Sequence, residues 1–324
     1  MSTLTGMPDL CREQKVAVDS SGTPLTERLS SKVDQAHLAV AAGLAFASTV
    51  HDQPVSLRLD RERLILRPAS SAGVGSAIVS EPGAPPPERL LAGLWRDGGP
   101  VLAHPWVPGT PHFANGVVVA GRLHLTDCWE CGEIEEDNRI RLTSVLNVWP
   151  GTTVFELLNK SLQEFVRVAR IAWGPVHFEA VVVADGTVRL VKCSPRVAGE
   201  PLSTLCRELG TIDQAAALAV GDPAEAIITG RRPAPGYAAD YSFIVRRAGR
   251  LVAIAGLDEL CARPSFRRIW HMPTPGDRLT VADSGESPVA TLLLRADEEA
   301  VIRSDIAYYQ TRNGQGIFQV ADEG

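Results

Sequence analysis

The chain has 324 residues, 45% hydrophobic and 22% charged, with a formal charge of −6 and an isoelectric point near 5.7. That length and apolar content suffice for two or three lobes around real cores, which excludes disorder as the default. The acidic balance gives no general attraction to nucleic acid or anionic lipid, and no apolar run approaches the roughly 18 residues of a membrane span. The first residues lack the apolar segment behind a basic start that marks a secretory signal, so the expected location is cytoplasmic.

Residues 1–30 are polar and turn-rich and read as an arm. Ser31 then stands as an N-cap before "LSSKVDQAHLAVAAGLAFAST", whose apolar residues recur at helical spacing until Gly43. Strand-like runs alternate with the small-residue loop "RPASSAGVGSA", and "PPPERLLAGLWRDG" reads as a short helix led in by prolines. "PVLAHPWVPG" and "FANGVVVAGRLHLTD" are expected strands. The acidic run "GEIEEDNR" reads as a solvated loop. In "TTVFELLNKSLQEFVRVARIAWG", Val154, Leu157, Leu158, Leu162, Phe165, Val166 and Ala169 share one face of a long amphipathic helix. "HFEAVVV" and "TVRLVKC" form a hairpin about the turn "ADG", and "STLCRELGTIDQAAALAVG" reads as one helix. From about residue 233 the pattern changes to short strands with Gly and Pro turns, including "VATLLLRADEEAVIRSDIAYYQTR", which predicts a β-rich terminal lobe.

Six cysteines (Cys11, Cys128, Cys131, Cys193, Cys206, Cys261) are too few and too irregular for a disulfide framework, so they are expected as reduced thiols. The "CWEC" pair, Cys128 and Cys131, has zinc or redox spacing, but no second ligand pair follows. The stretch reads as the end of a strand and not the start of a helix, which leaves two ordinary thiols. His104 and His112, beside Trp106 and Phe113, read as partly buried, hydrogen-bonded histidines. Along the second hairpin strand Cys193 faces away from Lys192 and Ser194, which makes Cys193 a core thiol. The loop at residues 69–77 is the most suggestive chemistry, because small side chains let backbone N–H groups approach a phosphate; alone it is a weak signal.

The order of these features carries more. A lysine before a helix, a strand ending in Arg67–Pro68, the small-residue loop, "WVPG", a long helix, "GPVHFE" and "SPRVAG" together resemble the ATP-grasp superfamily, and within it the amino-acid and peptide carboxylate–amine ligases. The resemblance covers about residues 30–230. It implies an α+β, two-lobe core with a truncated N-terminal lobe: an arm at 1–30, a nucleotide-binding lobe at 31–108, a catalytic lobe at 109–232 and a β-rich lobe at 233–324. It places Lys32 and Arg67 on the phosphates, Ser70, Ser71, Gly73, Gly75 and Ser76 in the loop over them, Glu179 at a metal carboxylate, and Arg196 at the acyl-phosphate or tetrahedral intermediate.

The departures from the pattern are specific. His104 and Pro111 stand where glutamates of the hinge and ribose site are usual, Lys192 replaces the second metal carboxylate, and Ser194 replaces a metal-binding asparagine. Glu179 without a second carboxylate is a weak metal site, since Mg²⁺ wants hard oxygen ligands and a lysine repels it. ATP and Mg are the cofactors that the resemblance implies, and these losses predict weak MgATP binding. The expected alternative is that Arg67, Lys192 and Arg196 converge on a phosphate or carboxylate. Three functions follow: a divergent ligase of specialised metabolism acting on small carboxylates and amines, a non-catalytic relative binding a partner protein or an acidic ligand, and metal-independent chemistry by His104, His112 and Lys192. The expectation for assembly is a homodimer or a partner-protein complex.

Overall fold

The computed structural model describes residues 28–53, 57, 59, 61–69, 77–95, 99–220, 222–230, 236–281 and 290–321. In chain order these form α1 (Lys32–Ala41), β1 (Thr49–His51), β2 (Leu64–Pro68), β3 (Ile78–Ser80), α2 (Glu88–Leu94), β4 (Val101–Pro105), β5 (Gly109–Val119), β6 (Arg122–Glu136), β7 (Arg139–Val148), α3 (Thr153–Ala169), β8 (Gly174–Val183) and β9 (Val188–Ser194). There follow α4 (Leu202–Leu209), α5 (Gln214–Leu218), α6 (Pro223–Gly230), β10 (Tyr237–Phe243), β11 (Gly249–Ile254), α7 (Leu257–Cys261), β12 (Phe266–His271), β13 (Arg278–Leu279), β14 (Ala290–Ala296), α8 (Glu299–Gln315) and β15 (Phe318–Ala321). The described residues fall into two compact units, the first from residues up to 69, 79–129 and 148–230, the second from 77–78, 130–147 and 236 onward. No helix among the described residues is long and apolar enough to cross a membrane.

In the first unit, β1, β4 and β2 form an antiparallel ladder in that order, with Arg67 opposite Leu102 and Ile65 opposite His104. A second run of strands has the order β6-β5-β8-β9. One of its faces is apolar: Ala114 and Val118 of β5, Val176, Phe178 and Ala180 of β8, and Val188, Leu190 and Cys193 of β9 join a core with α1 and α3. The period-2 alternation of strands therefore sends Asn115, His177, Glu179, Lys192 and Ser194 to the opposite face. On that opposite face Val117 packs with Ala217 of α5 and Ile227 of α6.

The helices that cover the apolar face start where the sequence says. Ser31 Oγ accepts from Asp34 N at 3.2 Å and Thr152 Oγ1 from Phe155 N at 3.3 Å, each satisfying a donor that a helix start leaves open. Phe155, Leu158, Leu162, Phe165 and Val166 of α3 are fully buried, each worth roughly 1.5–3 kcal/mol in apolar surface removed from water. Phe165 meets Phe178 edge-on at 6.1 Å. Where β5 begins, Gly109 is required by space, because a Cβ there would lie 2.6 Å from Val181 Cγ1 and 2.7 Å from Val182 O.

The second unit pairs β7, β10, β14 and β12 in that order, and β13, β11 and β15 in a small sheet. Tyr241, Phe243, Leu292 and Leu294 pack with Ile302 and Tyr309 of α8.

Several expectations are corrected. The run "GEIEEDNR" is not a loop: Gly132–Glu136 continue β6 and turn through Asp137 and Asn138, both at positive φ (53° and 60°), into β7. Its acidic side chain Glu136 accepts from Arg246 Nε at 2.6 Å. Cys128 and Cys131 lie inside β6 and not at a strand end, and both are buried. The single helix expected at residues 203–221 is two, α4 and α5, separated at Gly210 (φ 69°) and restarted by Asp213, whose Oδ1 accepts from Ala216 N at 2.7 Å. Only the first part of "VATLLLRADEEAVIRSDIAYYQTR" is a strand; the rest is the 17-residue α8.

Candidate functional site

The polar face of β5, β8 and β9 in the first unit gathers most of the side chains singled out from sequence. Glu179 and Lys192 are directly opposite each other in the β8–β9 ladder. Lys192 Nζ lies 3.2 Å from Glu179 Oε1, with both side chains about nine-tenths buried. His177 Nε2 reaches the same oxygen at 3.7 Å. Burial pushes the Glu179 carboxyl up, but the contact from His177 and the ammonium of Lys192 outweigh it and hold it at about 2. Behind His177 runs a buried polar chain. His177 Nδ1 is 2.7 Å from Asn115 Oδ1, and Asn115 Nδ2 donates to Asp127 Oδ1 at 2.5 Å. Asp127 also accepts from Trp129 Nε1 and, at 2.6 Å, from Thr126 Oγ1, so burial raises its pKa against three opposing donors.

A β-bulge puts a third group into this place. The register shifts between Glu179–Lys192 and Ala180–Leu190, which leaves Val191 without an opposite residue. Arg67, at the end of β2, donates from Nη1 to the Val191 carbonyl at 2.9 Å. Arg67 is 7% exposed, and its Nε is buried with no hydrogen-bond partner. Burial lowers its pKa to about 10, with Glu179 opposing that shift, so the guanidinium stays charged at neutral pH. Lys32, at the start of α1, donates from Nζ to Pro68 O at 2.9 Å, while Gln35 one turn on accepts from Cys193 N at 2.6 Å. The start of α1 is thus tied to the ends of both β2 and β9, the strands that carry Arg67 and Lys192.

The other predicted site residues are arranged differently. Ser70, Ser71, Gly73, Gly75 and Ser76 lie outside the described residues. Arg196, expected to converge with Arg67 and Lys192, donates from Nη1 to Val197 O at 2.9 Å. Lys192 is engaged by Glu179. His104 stacks on Phe46 with centroids 4.3 Å apart, and its Nδ1 sits 3.0 Å from Pro105 O, which assigns the proton to Nδ1. Burial, then the charge of Arg67, lowers its pKa to about 3 against the Pro105 carbonyl, leaving a neutral ring with a buried, unpartnered Nε2. Such a ring donates at Nδ1, leaves an acceptor at Nε2, and does not act as an acid at neutral pH. His112 is buried on β5 with Nδ1 2.8 Å from Thr110 O, and Pro111 faces Val181 across β5–β8. Cys193 is a core thiol, as its alternation predicts, and burial raises its pKa. Sequence reasoning missed Asn115 and Asp127; the one available signal was two polar residues inside otherwise apolar strands.

Neither a family sequence model nor any curated protein sequence matches the chain. Solved structures do. L-amino acid ligase from Bacillus licheniformis superposes with a TM-score of 0.72 at 15% identity, over 95% of this chain and 76% of the ligase. The chain has the ATP-grasp fold. Carboxyaminoimidazole ribonucleotide synthase from Aspergillus clavatus, solved with ATP, shares the fold at a TM-score of 0.59 and 16% identity, over 89% of this chain and 74% of that one. The biotin carboxylase domain dimer of Hydrogenobacter thermophilus 2-oxoglutarate carboxylase, solved with MgADP, ADP and bicarbonate, does so at 0.56 and 12%, over 97% and 71%. At 324 residues the chain is shorter than these ATP-grasp neighbours.

A magnesium ion, present in that carboxylase structure, does not fit the side chains here. The single carboxylate on the polar face of β8 and β9 has an ammonium at 3.2 Å, and no group of three His, Cys, Asp or Glu among the described residues is placed to hold a metal.

Proposed function

We propose that this chain is a divergent carboxylate–amine ligase of the ATP-grasp type, acting in specialised amino-acid or peptide metabolism. In that chemistry a substrate carboxylate oxygen takes the terminal phosphoryl group of ATP and ADP leaves. An amine then attacks the acyl carbonyl, phosphate departs with the C–O bonding pair, and the amine proton passes to solvent or a base. The observation that carries the reading is the structural likeness to an L-amino acid ligase over 95% of the chain, combined with buried Arg67 and Lys192 beside Glu179 and with Lys32 tied to the end of the strand that carries Arg67. Fixed cations in a partly desolvated site favour the negative charge that develops in phosphoryl transfer. Arg67 suits this role because its planar fork has one donor committed to Val191 and others available.

A second reading is favoured by the Glu179–Lys192 pair: a non-catalytic relative that binds a small acidic ligand or a partner protein. The experiment is incubation of the protein with ATP and a panel of amino acids, with ADP and amide quantified by mass spectrometry. Amide formed in step with ADP is expected, and Arg67→Met is expected to lower turnover about a hundredfold. No ADP from any substrate pair, in a protein that still binds a carboxylate, overturns the ligase in favour of the second reading.

A further inference from the structure

The Glu179–Lys192 pair sits in a setting that a neutral pair does not explain. Two cationic side chains stand at it, Lys192 in direct contact and Arg67 bonded to the neighbouring Val191 carbonyl and within the field of Glu179, while Lys32 is tied to Pro68, the residue after Arg67. The nearest other carboxylate in the polar chain, Asp127, is taken up by Asn115, Thr126 and Trp129. Arg67 adds a buried Nε donor with no partner in a group 7% exposed, a costly arrangement for a site that stays empty.

We infer that Lys192 is a built-in counter-cation, so that Lys32, Arg67 and Lys192 hold a phosphoryl or carboxylate anion without a divalent metal on Glu179. A metal approaching Glu179 would have to displace an ammonium already 3.2 Å from Oε1, in the field of Arg67. An anion meets the opposite situation. It gains charge-assisted hydrogen bonds from an arginine fork and two ammonium groups, while Glu179 keeps Lys192 aimed and His177, backed by Asn115, fixes Glu179. Glu179 is thereby a positioning residue and not a metal ligand. The inference rests on the ligase reading only in naming a nucleotide phosphate as the anion; inorganic pyrophosphate and a small carboxylate share the same chemistry.

The test is calorimetric titration of the whole chain with ATP, with pyrophosphate and with acetate, each in EDTA and in excess Mg²⁺. Binding of at least one anion is expected in EDTA, changing less than about threefold on adding Mg²⁺. Lys192→Met is expected to weaken it about tenfold, the loss of one charge-assisted contact, while Lys192→Arg keeps it. Lys192→Glu with Ser194→Asn is expected to make binding magnesium-dependent. Wild-type affinity that appears only with Mg²⁺ overturns the inference and leaves the ligase reading standing. No binding of any anion in either buffer, by protein with an intact cooperative melt, also overturns it. Metal-independent binding of pyrophosphate or acetate but not of ATP upholds the cation site and overturns the nucleotide. Because the wild-type comparison needs no variant, a Lys192→Met protein that fails to fold leaves the test intact.

Discussion

Two buried carboxylates, one in each compact unit, face cations in opposite ways. Asp305 of α8, 1% exposed, accepts on Oδ1 from Arg263 Nε (2.8 Å) and Nη2 (2.6 Å), and on Oδ2 from Ser265 N (2.8 Å) and Oγ (2.6 Å). Both oxygens are saturated by groups of the second unit, and the arrangement locks α8 to the segment before β12. Glu179, 8% exposed, has Lys192 and His177 both at Oε1, at 3.2 and 3.7 Å. The first acid has completed its hydrogen bonds and holds structure. The second is held by charge in loose geometry, beside an arginine with an unmatched donor, and is suited to receive something.

The comparison breaks first at Asp305. Asp305→Ala leaves a guanidinium and two Ser265 donors without their acceptor, and is expected to cost about 3–5 kcal/mol in denaturant unfolding. A cost below about 1 kcal/mol would mean that saturation does not mark a structural carboxylate here. Glu179 is read better through pH. Its folded pKa of about 2 lies below the ordinary 4.5, so its stabilisation is present above pH 4.5 and is lost as pH falls toward 2. The stability gap between wild type and Glu179→Gln is expected to be about 3 kcal/mol at neutral pH and to close between pH 5 and 2. A gap that stays constant over that range would show that the carboxylate is not held ionised. The smallest effect sharpens the contrast between fork and point charge. Arg263→Lys loses paired donation to one oxygen and is expected to lower stability by about 1 kcal/mol, whereas Lys192→Arg keeps a charge beside Glu179 and is expected to stay within about 0.5 kcal/mol. Thermal melts of the two variants compare them directly.

Much of this was legible from residues alone, and the failures have physical causes. Ser31, Thr152 and the apolar stripe of α3 announce themselves because caps and helical spacing are local. The helix α8 does not, since its buried positions are Ile302, Asp305, Tyr309 and Asn313; half of its inner face is polar and satisfied only by partners distant in sequence. The α4–α5 break carried a signal, Gly210 followed by Asp213, that continuous apolar residues masked. In the site, side-chain identities were readable but partnerships were not. That Lys192 would be engaged by Glu179, and that Arg196 would turn to Val197, depends on side-chain directions at the ladder's end, which no spacing encodes.

The bulge at Val191 has one more consequence. Leu190 and Cys193 both enter the core although they are three residues apart, so the strand changes parity at Val191. Side chains before it obey one odd–even rule and side chains after it the other. An unbroken strand carrying the same letters would drive Lys192 and Ser194 into the apolar core or expel Cys193 from it. What puts an ammonium beside Glu179 is therefore a count of residues as much as a choice of them. A relative with the same motif paired in an unbroken ladder beyond Leu190 would set Val191, not Lys192, opposite Glu179, and so would spell the site yet fail to build it.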